Sequence, residues 1–186
     1  MSAGHARVAV PAGELALART PESGAVELTA LELRRALGRF ATGVTVVTTV
    51  GPEGQPLGLT ANSFTSVSME PPLVLWCLAA RSHNVAAFRA ASSFAINILN
   101  DQQHDLCRQF SDPRNPDRFA GVRWESGAGG APWLDQALVR MTCTPWASHE
   151  AGDHVIFIGR IVALDLGGGE PLVFSAGKLG GFLAAA

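Results

Sequence analysis

Strand-forming runs dominate the sequence, and short turns rather than long helices separate them. HVIFIGRIVALDL (His154–Leu166) is the longest such run, and VTVVTTV (Val44–Val50) is equally rich in β-branched residues. The segments GPEGQ, Gly127–Gly130 and GGGE have the glycine and proline content that is typical of turns. At least seven strands are predicted, within the segments 44–50, 57–64, 73–78, 93–99, 121–126, 137–146, 154–166 and 171–178.

The connections between these strands decide the fold class. A doubly wound parallel sheet needs a long helix after each strand, and the sequence offers only short helical segments. We therefore predict a mainly β fold, an antiparallel barrel that is closed or nearly closed, with a few short helices.

The first helix is predicted from a capping box. Thr29 and Glu32 form the T-x-x-E pattern, apolar residues follow at helical spacing, and Gly43 is expected to end the helix. Ser82 or Asn84 is expected to cap a short second helix, and a third opens just after residue 100.

Length and composition indicate one domain. A chain of 186 residues can bury a core of useful size, and the folded domain is expected to span residues 29–186. Prolines and glycines interrupt small residues and scattered charges in residues 1–28, which predicts a flexible tail. Hydrophobic residues make up 47% of the chain and charged residues only 16%, which suggests apolar surface that is covered in an oligomer.

Charge and hydropathy exclude several classes of partner. A net charge of −2 gives no electrostatic attraction to nucleic acid or to an anionic membrane. The longest apolar run, Leu73–Ala80, is far shorter than the roughly 20 residues that span a bilayer. Because residues 1–27 contain no unbroken apolar segment of the signal-peptide type, a cytoplasmic protein is expected.

The three cysteines predict neither disulfides nor a metal site. Cys77, Cys107 and Cys143 are odd in number and widely spaced, and they match no zinc pattern. Cys77 and Cys143 lie in predicted strands, where a small buried side chain is the simplest interpretation. His104 and Cys107 have the spacing of a metal pair, but no third ligand stands near them in the sequence.

Polar side chains crowd the stretch LTANSFTSVSMEPP, directly before the apolar strand LVLWCLAA. Flat heteroaromatic ligands carry carbonyls and ring nitrogens along one edge, and such a series of donors and acceptors, with the backbone N–H groups of TSVS, matches them. The alternative is that the hydroxyls satisfy backbone groups where the chain crosses between strands. The side chains are Thr60, Asn62, Ser63, Thr65, Ser66 and Ser68.

Two further segments place polar residues at the ends of strands. In ARSHN (Ala80–Asn84), Arg81, Ser82 and the first helical N–H groups form a candidate anion site, with a plain helix cap as the alternative. In GDH (Gly152–His154), His154 either presents a ring nitrogen to a ligand or is simply a hairpin residue. The sequence contains no nucleophile elbow, no P-loop and no G-x-G-x-x-G after a strand.

Taken together, the motifs resemble those of the short-chain flavin reductases, the reductase components of two-component flavin-dependent monooxygenases. The resemblance covers about Leu31 to Phe182, and its motifs occur in the family's order. It implies an FMN-binding split β-barrel of the flavin reductase type, assembled as a homodimer. The matching motifs are RRALGRFATGVTVVTT, GLTANSFTSVSMEPPLVLWCL, RSHN, FAINIL, RF, GDHVIFIGRI and PLVFSAGKLGGF.

The resemblance also implies roles for individual residues. Arg81, Ser82 and Asn84 would contact the flavin phosphate, and Phe119 of the RF pair would lie near the cofactor. His154 would stand close to the approaching nicotinamide, as the catalytic residue. The isoalloxazine and ribityl chain would be held by Thr42, Thr60, Asn62, Ser63, Ser66, Val67 and Ser68.

The activity implied is hydride transfer from NADH, or alternatively NADPH, to FMN or FAD. Reduced flavin would then diffuse to a separate flavin-dependent monooxygenase. Hydride transfer between flat rings needs orientation more than acid–base groups, which fits the lack of paired carboxylates. Three alternatives remain: a carrier or sensor that retains its flavin, an oxidase of the pyridoxamine-phosphate type, and a purely structural barrel.

Overall fold

The computed structural model describes residues 28–183, which form twelve strands and three α-helices. The helices are α1 (Ala30–Leu37), α2 (Val85–Ala90) and α3 (His104–Ser111). The strands are β1 (Thr42–Gly43), β2 (Thr45–Val50), β3 (Pro56–Ala61), β4 (Thr65–Met69), β5 (Pro72–Ala79), β6 (Phe94–Ile98), β7 (Trp124–Ser126), β8 (Pro132–Leu134), β9 (Val139–Ala151), β10 (His154–Leu166), β11 (Leu172–Ser175) and β12 (Lys178–Gly181).

Seven strands form one antiparallel sheet in the order β3-β2-β6-β9-β10-β5-β4. The two outermost strands, β3 and β4, are consecutive in sequence, and only residues 62–64 join them. The sheet therefore curls until its edges approach each other, as in a split barrel. Two small sheets, β1-β11-β12 and β7-β8, accompany it.

Strand β2 is buried on both faces, because a separate apolar core lies on each side of it. Val47 belongs to the core inside the barrel, whereas Val46 belongs to an outer core that includes Phe110 of α3. The threonines of β2 are buried too, and each hydroxyl donates to a backbone carbonyl. This explains why VTVVTTV reads as a continuous β-branched run rather than an alternating one.

The inner core is built on Trp76, which is fully buried. Its ring stacks on Phe157 with centroids 4.9 Å apart and meets Phe88 edge-on at 4.8 Å. Aromatic pairs of this geometry add to the hydrophobic stabilisation that comes from burial. Because Trp76 lies on β5 and Phe157 on β10, the contact fixes the two strands whose ends carry the RSHN and GDH segments.

The structure confirms the mainly β, antiparallel fold class, the capping box of α1 and the exact range of β10. The end of α1 was predicted wrongly: Gly38, not Gly43, caps the helix, and Thr42–Gly43 form β1. Besides β1, three strands were missed: β4 in the TSVS segment, the three-residue β8, and β12, because segment 171–178 was predicted as one strand but forms β11 and a turn before β12. The predicted tail, residues 1–28, lies outside the described residues except for Leu28.

Helix α1 differs from its prediction in burial as well. None of its residues is buried, and its apolar positions Leu33 and Leu37 are exposed. Within residues 28–183, no helix is long and apolar enough to cross a membrane.

Candidate functional site

Ser63, in the connection between the two edge strands, is tied to Cys77 of β5, and we call this contact the barrel seam. The Cys77 N–H donates to Ser63 Oγ at 2.8 Å, and Ser63 Oγ donates to the Cys77 carbonyl at 3.3 Å. Thr60 is similarly engaged, since its hydroxyl donates to the Cys107 carbonyl on α3 at 2.8 Å. Two of the hydroxyls that were predicted to hold a flavin therefore donate their proton to backbone carbonyls of the protein.

The TSVS segment forms β4, the last strand of the large sheet. Ser66 pairs with Val74 and Ser68 pairs with Leu73, so Val67 is an extra residue that bulges between them. As an edge strand, β4 turns one row of backbone N–H and C=O groups away from the sheet. Within residues 28–183 no strand pairs with that row. The predicted backbone donors near Ser66, Val67 and Ser68 are thus available to a ligand.

Thr42 offers the clearest sign of a missing hydrogen-bond partner. It lies on β1, opposite Phe174 of β11, and its hydroxyl oxygen is buried without a hydrogen bond to any described residue. Buried polar groups are nearly always satisfied in folded proteins. A bound ligand that reaches Thr42 would satisfy this hydroxyl.

At the far end of β5, the RSHN and GDH segments come together. His154 pairs with Ala79, and the Ala80 N–H donates to the Asp153 carbonyl at 2.9 Å. The His154 ring, which is 46% exposed, contacts the Asp153 carboxylate through Nδ1 at 2.7 Å. This hydrogen bond, supported by the more distant charge of Arg81, holds the pKa of Asp153 below its usual value. His154 is therefore oriented by Asp153 through Nδ1, and its Nε2 makes no hydrogen bond to a described residue.

Asn84 is buried at the start of α2 but has no side-chain partner. It is only 5% exposed, and its carboxamide makes no hydrogen bond to the residues of the described range. Asn84 occupies the predicted N-cap position, but no side chain caps the helix; the Asn84 backbone N–H donates to Ser82 Oγ at 3.3 Å. Asn84 lines a cavity of about 260 Å³ together with Phe119 and Arg118.

The RF pair has divided roles. Arg118 donates to the carbonyls of Gly58, at 3.0 Å, and Asp112, at 3.2 Å, so it ties its loop to β3. Burial lowers the pKa of Arg118, although the nearby Asp112 carboxylate opposes this effect. Phe119 packs edge-on against Phe110 with centroids 5.0 Å apart, and it lines the same cavity as Asn84. Phe119 is thus the member of the pair that is placed to touch a ligand.

A larger cavity, of about 660 Å³, lies where the end of β3 meets α3 and the β11–β12 hairpin. Its lining includes Thr60 and Asn62, which were predicted to bind the flavin. Lys178 and Phe174, from the C-terminal strands, also line it. Sequence reasoning assigned no role to Lys178, and its only signal was its place in the motif PLVFSAGKLGGF. The predicted residues are therefore distributed along a path over β3, β4 and β5, not gathered in one closed pocket.

Cys143 is the small buried side chain that was predicted, whereas Cys77 is only half-buried. Cys143 is fully buried in the inner core, and burial raises the pKa of its thiol to about 12. Cys107 lines the larger cavity, and burial also raises its pKa. Among residues 28–183, no group of three His, Cys, Asp or Glu side chains is placed to hold a metal ion with His104 and Cys107.

The free polar groups fit a flavin nucleotide. Its isoalloxazine edge needs donors and acceptors of the kind that β4 exposes. The Thr42 hydroxyl is buried without a described partner, and the Asn84 carboxamide, which makes no hydrogen bond to a described residue, borders a cavity. The guanidinium of Arg81, at the end of β5, is suited to a phosphate.

Comparison with known proteins identifies the family. The model described as "Flavin reductase like domain" matches residues 37–182. A "Probable flavin reductase" of Rhizobium meliloti is 47% identical over 78% of this chain, which spans only 46% of that protein. The flavin-dependent monooxygenase reductase subunit HsaB of Rhodococcus jostii is 38% identical over 85% of this chain and 82% of its own length.

A solved structure gives the same result for the fold. The NADH:FAD oxidoreductase SgcE6 of Streptomyces globisporus, in complex with NAD and FAD fragments, superposes with a TM-score of 0.79. It is 39% identical over 84% of this chain and 94% of its own. The family and the fold class predicted from the sequence are thereby confirmed, and the names of the relatives agree with the predicted activity. The chain belongs to the flavin reductase-like domain family.

Proposed function

We propose that this protein is an NADH-dependent flavin reductase that transfers a hydride to FMN or FAD and releases reduced flavin to a separate flavin-dependent monooxygenase. One observation carries the proposal: a single strand, β5, organises all three family motifs. TSVS pairs with its first half, RSHN follows its last residue, and GDH pairs with that same end. The distance along β5 from Leu73 to Ala79 is about 20 Å, comparable to the length of a flavin nucleotide.

The arrangement assigns the flavin an orientation. Its ring lies against β4, where Ser66, Val67 and Ser68 offer backbone groups on the outer edge of the strand. Its phosphate reaches the other end of β5, where Arg81 and Ser82 offer a guanidinium and a hydroxyl. Thr42 and Asn62 complete the contacts, while Thr60 and Ser63 act chiefly as braces of the barrel.

Bound flavin supplies the chemistry, because its ring accepts a hydride from reduced nicotinamide. The protein's part is to hold two flat rings at reacting distance and to exclude water. His154 is the group placed for the second ring. Asp153 fixes its Nδ1, so its Nε2 can hydrogen-bond the nicotinamide carboxamide and set the distance between the rings.

We also propose a homodimer, because apolar side chains remain exposed on several elements. Leu37 is exposed at the last position of α1 and Phe40 just beyond it, and Leu164 and Leu166 are exposed on one face of the end of β10. Exposed apolar surface of this kind marks association sites. A second copy that covered it would account for the high apolar content of the chain.

The test is an NADH oxidation assay with purified protein. NADH or NADPH is supplied with and without added FMN or FAD, while absorbance of the reduced nicotinamide is followed. Oxidation that requires added flavin and saturates with it is the expected result, with NADH preferred. A yellow protein that keeps its flavin through purification and oxidises neither nucleotide would instead identify a carrier or sensor.

A further inference from the structure

A third cavity begins at His83 and Asn84, directly after the first residues of the predicted phosphate site. It has a volume of about 870 Å³ and runs between helix α2 and the turn that joins β2 to β3. Its walls include Ala86 and Ala90 from α2 and Pro52 from the turn, with Gly129 at its far end. We call it the alanine groove. A site of this size is in the range that accommodates a small organic molecule.

The groove is continuous with the smaller cavity of Asn84 and Phe119. His83 and Asn84 line both of them, as do Gln55 and Leu57. Asn84 stands at this junction: the residue is only 5% exposed, and its carboxamide has no hydrogen bond to a described residue, although its polar atoms are not fully closed off from solvent. The carboxamide is therefore free to donate to, or accept from, a ligand that enters the junction.

The residues that line the groove favour a flat, weakly polar group that is covalently attached to the flavin phosphate. No residue that lines the groove is acidic, so nothing repels a second phosphate. The alanine and proline side chains present apolar walls, and the small side chains leave room for a ring. The His83 imidazole at the entrance can stack on a base or donate to a phosphate oxygen.

We propose that the alanine groove holds the adenylate half of FAD, and hence that this protein binds FAD more tightly than FMN. The proposal rests on the proposed function, since it takes the flavin phosphate to lie at Arg81 and Ser82. From that point FMN ends, whereas FAD continues with a second phosphate, a ribose and adenine. NADH contains the same adenylate group, but the groove opens from the flavin phosphate segment and not from His154.

Equilibrium dialysis with FMN and with FAD tests the proposal without relying on turnover. The wild-type protein is expected to bind FAD at least tenfold more tightly than FMN. Ala86→Trp, at an exposed position of α2, fills the groove and is expected to weaken FAD binding at least tenfold while FMN binding changes less than twofold. Ala90→Trp, also exposed, should act in the same direction. Ala30→Trp, on exposed α1, is the matched control and should change neither affinity.

The other outcomes overturn the proposal in distinguishable ways. Equal affinities for FMN and FAD, both unchanged by Ala86→Trp, would show that adenylate does not enter the groove. Equal weakening of both flavins would show that the substitution acts on the shared flavin site. A rise in the KM for NADH with FMN as acceptor would assign the groove to the nicotinamide nucleotide. Binding of neither flavin to the wild type would instead refute the proposed function itself.

Discussion

Replacement of Ser63 by alanine should separate a structural hydroxyl from a ligand-binding one. Ser63 Oγ accepts the Cys77 N–H at 2.8 Å and donates to the Cys77 carbonyl, so Ser63→Ala breaks both hydrogen bonds of the barrel seam. A buried donor left without a partner costs about 1–3 kcal/mol. Cys77 is half-buried, so water can replace part of the loss. We therefore expect the free energy of unfolding to fall by about 1–2 kcal/mol.

Urea and thermal unfolding, followed by tryptophan fluorescence, measure this loss of stability. Trp76 is a suitable probe because it is fully buried and precedes Cys77 on β5. For a chain of this size, the expected loss lowers the Tm by about 3–6 °C. The affinity for FMN should change less than threefold. Ser66→Ala is the matched control, because Ser66 is exposed on β4: its stability should stay within about 0.5 kcal/mol of wild type while flavin affinity falls. A Ser63→Ala protein with unchanged stability and lost flavin binding would refute the reasoning.

Four further substitutions follow from the same structure. Arg81→Ala should weaken FMN binding at least tenfold and riboflavin binding little, since only FMN has a phosphate; equal losses by dialysis would remove Arg81 from the phosphate site. His154→Ala should raise the KM for NADH or lower kcat while oxidised flavin still binds, and unchanged steady-state kinetics would exclude its role. Thr42→Val removes an unsatisfied buried hydroxyl, so unfolding should show equal or greater stability while flavin affinity falls several-fold; a clear loss of stability would contradict this. Gly159→Ala should cost about 1–3 kcal/mol in urea unfolding, because the new Cβ would overlap the buried Phe94 ring, and wild-type stability would show that the core yields there.

The strands could be predicted where local sequence alone determines them. β10 was predicted to the residue, because its apolar residues are broken only by Gly159, Arg160 and Asp165 and are bounded by Gly152 and Gly167. The end of α1 could not be predicted from local sequence, because it depends on a contact that is distant in sequence. The Gly38 carbonyl accepts a hydrogen bond from the Ala176 N–H at 2.7 Å. β8 is fixed in a similar way, since the Leu134 N–H donates to the buried Asn97 side chain at 2.8 Å. Such long-range contacts leave no periodic pattern in the sequence.

Strand β4 was missed for a different reason. Its residues are small, polar and mostly exposed, so neither alternation nor apolar content marks TSVS as a strand. It forms because Leu73 to Leu75 of β5 offer a paired edge directly after a short connection. The sequence showed that these residues are polar but not that the strand edge, rather than the side chains alone, would face a ligand.

The candidate site shows the same limit, because residue type does not reveal which polar groups the fold has already used. Thr42, Thr60 and Ser63 look alike in sequence, and the resemblance gives them one role. In the structure, the hydroxyls of Thr60 and Ser63 donate to carbonyls of the fold, whereas that of Thr42 is buried with no described partner. A hydroxyl has one proton to donate, so one that is committed to the backbone can still accept from a ligand but cannot donate to it. Flavin binding energy should therefore concentrate at Thr42 and Asn84, whose side chains make no hydrogen bond to a described residue. In a series of single substitutions, flavin affinity should fall more at these two positions than at Thr60 and Ser63, although all four belong to family motifs.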